Sequence, residues 1–140
     1  MPRFVVLVKA SEESEAGVLP AEKDLAEMTR FNEELANAGV MLAGEGLHPT
    51  SNAVRVRFEG DKRTVIDGPF SETKELVAGF WILQVKSREE AVEWIKRAPF
   101  DGGAEIEIRQ VFEDEDFGEA LTPEVRATEQ RIREKIAERK

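Results

Sequence analysis

An α+β fold, with one mainly antiparallel sheet and both principal helices on a single face, follows from three features of this 140-residue chain. Four short runs, two of them nearly continuously apolar, one resuming an extended pattern and one alternating, read as strands. Two stretches repeat apolar residues every three or four positions, as amphipathic helices do. Between the two resulting strand–helix–strand units lies a run alternating apolar and charged residues around a glycine turn, which reads as an inserted hairpin. The order is strand, helix, strand, hairpin, strand, helix, strand, the plan of a ferredoxin-like split β-α-β fold with an inserted hairpin.

Phe4 to Val8 is almost continuously apolar and is expected as a central strand. The polar stretch from Ser11 to Leu19 reads as a loop, and Pro20 stands where proline is accepted at the first position of a helix. Leu25, Met28, Phe31, Leu35 and Ala38 form that helix's apolar stripe, and Gly39 supplies its stop. Val40 to Ala43 resumes an extended pattern. It runs into Gly44-Glu45-Gly46-Leu47-His48-Pro49, where the glycines predict a bulge or an exit from the sheet and a close approach of backbone. Ala53 to Phe58 and Thr64 to Ile66 form a half-exposed hairpin about Glu59-Gly60-Asp61-Lys62.

Gly79 to Val85 is a second buried strand. Ser87-Arg88-Glu89-Glu90 has the Ser-x-x-Glu spacing of a capping box, opening a helix with Ala91, Trp94 and Ile95 inward and Pro99 beyond its end. Glu105 to Val111 alternates as a strand with one wet face. Residues 1–112 are therefore expected as one ferredoxin-like domain. Residues 113–140 are expected as an acidic linker, Glu113 to Asp116, followed by a C-terminal helix from Thr122-Pro123 whose stripe of Val125, Thr128, Ile132 and Ile136 is too narrow to form a core.

The formal charge of -9 gives no general attraction for phosphate backbones or anionic lipid, so direct nucleic-acid and membrane partners are not expected. Cysteine is absent, which excludes a disulfide framework and a thiolate nucleophile and suits a reducing cytoplasm. The apolar N-terminal run meets Lys9 and acidic residues too soon for a signal peptide. With one histidine and no cysteine, neither a required metal nor a cofactor is expected.

The run Asp67-Gly68-Pro69-Phe70-Ser71-Glu72-Thr73-Lys74-Glu75 combines a rigid turn with one acid before it and a dense ionic cluster after it. The peptide before Pro69 is expected trans, the form X–Pro bonds favour. Asp67 reads either as a turn-capping carboxylate or as a general base or substrate anchor at a strand end. Glu72, Thr73 and Lys74 read either as a solvated surface cluster or, in a cleft, as groups that bind substrate, with Lys74 holding a carboxylate or phosphate. Glu45, between two glycines, is a candidate to aim a carboxylate inward. His48, the single histidine, is either a loop residue or the acid partner of Asp67. Trp81 and Trp94 read as core or interface anchors.

Together with Gly44-Glu45-Gly46-Leu47, Val54-Arg55, Gly79-Phe80, Trp94, Pro99 and Gly102-Gly103, this run resembles the YCII-related family, in its longer branch marked by Asp-Gly-Pro-Phe. The resemblance covers about residues 4 to 111. It implies a dimeric α+β barrel made of two such sheets, with a cleft on each subunit, and a branch without a settled reaction. Compact members look like carriers of a His–Asp dyad with the histidine near the first helix, where this chain has none. A homodimer is also expected from the residues alone, because one sheet face lacks helices to cover it. Two functions remain open: binding of a small organic molecule with cofactor-free acid–base catalysis, or a non-catalytic ligand-binding or interaction module linked to transcriptional regulation.

Overall fold

The computed structural model describes residues 1–72 and 74–139, and the chain divides into two units, Met1–Gln110 and Val111–Lys140. In the first, strands β1 (Arg3–Lys9), β2 (Met41–Gly46), β5 (Val77–Gln84) and β6 (Ile106–Gln110) form an antiparallel sheet in the order β2-β5-β1-β6. That is the ferredoxin-like order. Helices α2 (Glu22–Asn37) and α3 (Arg88–Ile95) supply the two crossovers, and β3 (Val54–Glu59) pairs with β4 (Lys62–Asp67) as a separate two-stranded hairpin.

The core lies on one face of the sheet. Phe4, Val6, Trp81 and Leu83 are buried beneath Phe31 and Leu35 of α2 and Ala91 and Ile95 of α3. Removing each large apolar side chain from water stabilises the fold by roughly 1.5–3 kcal/mol, so α2 owes its place to the 28–31–35 stripe. Leu25, one turn earlier, remains exposed. On the opposite face, Val5 stands across from Ile82 and Leu7 from Phe80, and all four are half-buried.

Several local expectations need correction. The acidic stretch before Pro20 contains a one-turn helix, α1 (Glu12–Glu15), closed by reciprocal bonds between Ser11 and Ser14. Pro20 lies outside α2, whose N-cap is Ala21 in extended geometry, with Glu22 and Asp24 in the first turn where the helix dipole favours acids. The irregularity in β2 falls at Leu42, ahead of the glycines, and the strand continues through Gly46. Ser87 caps α3 as expected, but Glu90 returns its carboxylate to the N–H of Lys86. The Gly68–Pro69 peptide is cis.

In the second unit the acidic run leads into a 3₁₀ segment, Asp114–Ala120, with a capping box between Glu113 and Asp116. Phe112 and Phe117 stack with ring centroids 5.1 Å apart. Helix α4 (Pro123–Glu138) starts at the Thr122 cap with proline in its first turn, and Arg126 pairs with Asp114 at 3.2 Å. Val125, Ile132 and Ile136 are exposed. No helix among the described residues is long and apolar enough to cross a membrane.

Candidate functional site

The strand register creates a hollow. On the helix-bearing face, side chains fall in rows across the sheet: Phe4–Leu83–Met41, then Val6–Trp81–Gly44, then Val8–Gly79–Gly46. The third row has only Val8 to fill it, and the second loses a side chain at Gly44. A cavity of about 250 Å³ results, bounded by Val8, Gly44–Gly46 and Ala78–Trp81 from the sheet, Met28 and Asn32 from α2, and Phe100.

The glycines are not equivalent. A Cβ at Gly44 would come within 2.7 Å of both Met41 Cε and Trp81 Cδ1, and one at Gly79 within 3.0 Å of the Glu45 carbonyl oxygen. A Cβ at Gly46 would meet nothing within 4 Å. Gly44 and Gly79 thus allow close packing, while Gly46 leaves room.

The aromatic wall is fixed from several sides. Trp81 stands edge-on to Phe31 at 5.8 Å and to Phe100 at 6.1 Å, geometries that aromatic quadrupoles favour. Its indole Nε1–H donates to Asn32 Oδ1 at 2.8 Å. This bond sets the amide's orientation and leaves the Asn32 Nδ2 group as a donor at the cavity wall. Asn32 shares the inward face of α2 with Met28, Phe31 and Leu35, so its signal in the sequence was a polar residue within an apolar stripe.

Of the residues singled out in the sequence, Glu45 borders the cavity. Its register opposite Phe80 assigns its side chain to the helix-free face, leaving backbone at the wall. Asp67 ends β4 across from Val54 and is exposed. His48 is exposed, and its Nδ1 lies 3.0 Å from Asn52 Nδ2. Glu72 pairs with Arg55 at 3.5 Å, and Lys74 is exposed. Thr73 lies outside the described residues. Asp67, His48, Glu72 and Lys74 are not among the cavity's lining residues, and no hydrogen bond joins Asp67 to His48 among the described residues. Nor do three or more acidic or histidine side chains there converge as a metal site would require.

The turn after Asp67 ties distant segments together. The Gly68 N–H donates to the Ala53 carbonyl at 2.8 Å, and the Phe70 N–H to Thr50 Oγ1 at 2.9 Å. Thr50 in turn donates from both its N–H and its hydroxyl to the Glu15 carboxylate. Arg55 covers the Phe70 ring with its guanidinium carbon 3.6 Å from the centroid. The hairpin's base is thereby joined to α1 through a carboxylate 35 residues away. Replacing Glu15 with alanine is expected to cost about 1–2 kcal/mol, since it strands two part-buried Thr50 donors. The same change at exposed Glu12 should fall within about 0.5 kcal/mol of zero, and urea denaturation of the pair provides the comparison.

The family model for the YCII-related domain matches residues 2–115. An uncharacterised protein of Rhizobium meliloti (strain 1021) is 29% identical over 75 residues, covering 54% of this chain and 60% of the relative. Among solved structures, the 5-chloro-2-hydroxyhydroquinone dehydrochlorinase of Burkholderia phenoliruptrix AC1100, in complex with 2,5-dihydroxybenzoquinone, aligns with a TM-score of 0.41 at 14% identity. That alignment covers 75% of this chain and 90% of the other. With a family model spanning most of its length, the chain belongs to the YCII-related family.

Proposed function

We propose that this protein binds a small organic molecule in the cavity between α2 and the β2–β5 edge of the sheet. The observation that carries this reading is the side-chain-free row at Gly79 and Gly46 beside a fixed aromatic wall and an oriented amide donor. At about 250 Å³ the cavity is smaller than the ~300–1,000 Å³ of drug-sized sites. Its occupant is therefore compact, with an apolar body against Met28, Trp81 and Phe100 and an acceptor atom for Asn32.

The finer chemistry rests on the Asp67–Glu75 run, which also supports placement in the Asp-Gly-Pro-Phe branch of the family. That finer reading concerns a second location, at the base of the hairpin and apart from the residues that line the cavity, where Asp67 serves as base, Lys74 as electrostatic anchor and His48 as acid, acting without a cofactor. A homodimer that covers the Val5, Leu7, Phe80 and Ile82 face belongs to the same proposal, as does residence in the cytoplasm, which the absence of cysteine supports.

A thermal-shift screen with a metabolite library, run on wild type, Gly46→Val and Asp67→Ala, tests the reading. A compound that stabilises wild type should fail to stabilise Gly46→Val, whose added methyls occupy the open space at the wall. The ligand-free midpoint of that variant should stay within about 3 °C of wild type, as a change near 0.5 kcal/mol would give. Equal stabilisation of wild type and Gly46→Val would place the ligand elsewhere. Binding retained but turnover lost in Asp67→Ala would support the acid–base assignment, and unchanged turnover would remove it.

A further inference from the structure

The hollow lies at one end of the sheet. Its emptied row, Val8–Gly79–Gly46, is the last before β1 ends at Lys9 and β2 at Gly46, and it stands beside the start of β5 at Val77. Helix α2 bounds the hollow through Met28 and Asn32. Leu25, one turn earlier on the same inward stripe, is 54% exposed, so the stripe loses its cover where the hollow reaches the end of the sheet.

The chain crosses this end. Past Val8 it meets the approach to β5, where the Ala10 N–H donates to the Leu76 carbonyl, and α1 then brings Glu15 to Thr50. Thr50 is four residues beyond Gly46, at most about 14 Å along the chain, and Leu47 between them donates to the Ala78 carbonyl at the cavity wall. Glu15 is thereby fixed on the β2 side of the hollow, and Glu22 begins α2 on the other. Residues 16–21 join the two walls. They carry no charge, although acids flank them on both sides. Val18 and Leu19 are exposed, and Leu19, at 85%, is the most exposed large apolar side chain among the described residues. Gly17 takes φ +80°, a conformation that a side chain would strain, and Pro20 stiffens the chain just past Leu19. The Val18 N–H still bonds the Glu13 carbonyl, but no hydrogen bond ties residues 19 and 20 to another segment among the described residues.

We propose that residues 16–21 are a lid, which turns about Gly17 to lay Leu19 over the hollow when a small molecule occupies it. Closure covers Leu25 and adds Leu19 to the apolar wall of Met28, Trp81 and Phe100. Over an empty hollow Leu19 faces a void and gains few contacts, whereas an occupant supplies the surface it lands on. Removal of Leu19 and Leu25 from water then favours the closed form, and the ligand shifts the lid by the contacts it makes with Leu19 only there. The lid deepens the small-molecule reading of this cavity and rests on it.

The chain has no cysteine, so Leu19→Cys carries a single trifluoromethyl label introduced with bromotrifluoroacetone, whose ¹⁹F shift reports contact with solvent. The Trp81 indole N–H reports the cavity in the same ¹⁵N-labelled full chain. The probe is benzamide, a compact ring bearing an acceptor carbonyl. Titration should move both signals along one binding curve. Leu19→Ser should weaken benzamide about 10-fold, read at Trp81, the scale of a lost apolar contact in a pocket. The ligand-free unfolding midpoint should not change, because the side chain already lies in water. Benzamide that moves Trp81 but not the label, or that binds Leu19→Ser as tightly as wild type, overturns the lid and leaves the cavity reading intact. A label that moves while Trp81 stays still overturns the cavity reading and the lid with it. So does the silence of both signals at the solubility limit of benzamide.

Discussion

Replacing Trp81 with alanine is expected to destabilise the first unit by about 3–5 kcal/mol, the range for truncating a buried tryptophan. Three losses combine. The indole is 5% exposed at the centre of the helix-bearing face, so its removal exposes Phe31 and Phe100 and merges its volume with an existing hollow. Asn32 Oδ1 also loses its donor. Set against a total stability of about 5–15 kcal/mol for a domain, such a change leaves a substantial unfolded fraction near physiological temperature. Trp81→Phe separates the contributions: it keeps a ring in place but removes the hydrogen bond and part of the volume, and should cost about half as much. Urea denaturation followed by far-ultraviolet dichroism gives both numbers without depending on the altered fluorescence. A loss below about 1 kcal/mol for the alanine variant would contradict the place given to Trp81 in the core.

Gly68→Ala should be nearly as harmful although it adds only one methyl group. A Cβ there would lie 1.7 Å from the Thr50 carbonyl oxygen and 2.8 Å from its carbon. These are backbone atoms, so no rotamer change relieves the overlap. The 50–53 segment must move, and its movement breaks the Gly68–Ala53 bond, the Phe70–Thr50 bond and the pair of bonds from Thr50 to Glu15. Overpacking of this kind costs about 1–3 kcal/mol, and the lost hydrogen bonds put the expected value at about 3 kcal/mol. Gly102 provides the control: a Cβ there meets nothing within 4 Å, and Gly102→Ala should change stability by less than about 0.5 kcal/mol. If the two alanine variants unfold at the same denaturant concentration, the turn does not hold the hairpin as described.

These contrasts show what the amino-acid pattern could disclose. The 28–31–35 stripe of α2, the runs that became β1 and β5, and the alternation of the hairpin are local signals, readable because side-chain periodicity is set by backbone geometry. The ferredoxin-like strand order followed from their succession. The cavity was less accessible. Gly44-Glu45-Gly46 announced close backbone approach, but only the pairing of Gly46 with Gly79 empties a row, and strand register is not a local property. Asn32 was visible as a polar residue on an apolar stripe, yet its partner lies 49 residues away on another strand.

The Asp67–Glu75 run illustrates the opposite case. Its density of charge attracted attention to chemistry, while its geometry shows substantial structural work: Gly68 is enclosed by Thr50 and Ala53, and Phe70 is covered by Arg55. The capture of Thr50 by Glu15 had no local signature, because one acid among the many between residues 12 and 27 is chosen only by the fold. The one-turn helix α1 was similarly hidden, since four residues are too few to establish a period.

The most direct test of the proposed binding site uses the protein's two tryptophans as separate reporters. In a ¹⁵N–¹H correlation spectrum each indole N–H gives its own signal, and Trp94→Phe assigns them. Trp81 donates to Asn32 at the cavity wall, whereas Trp94 lies on α3 beneath the Arg97 guanidinium. Titration with the strongest stabilising compound from the library screen should move the Trp81 indole signal in wild type, leave Trp94 in place, and have no effect on Trp81 in Gly46→Val. A saturating compound that leaves the Trp81 signal unmoved, or moves it equally in Gly46→Val, would contradict binding in this cavity.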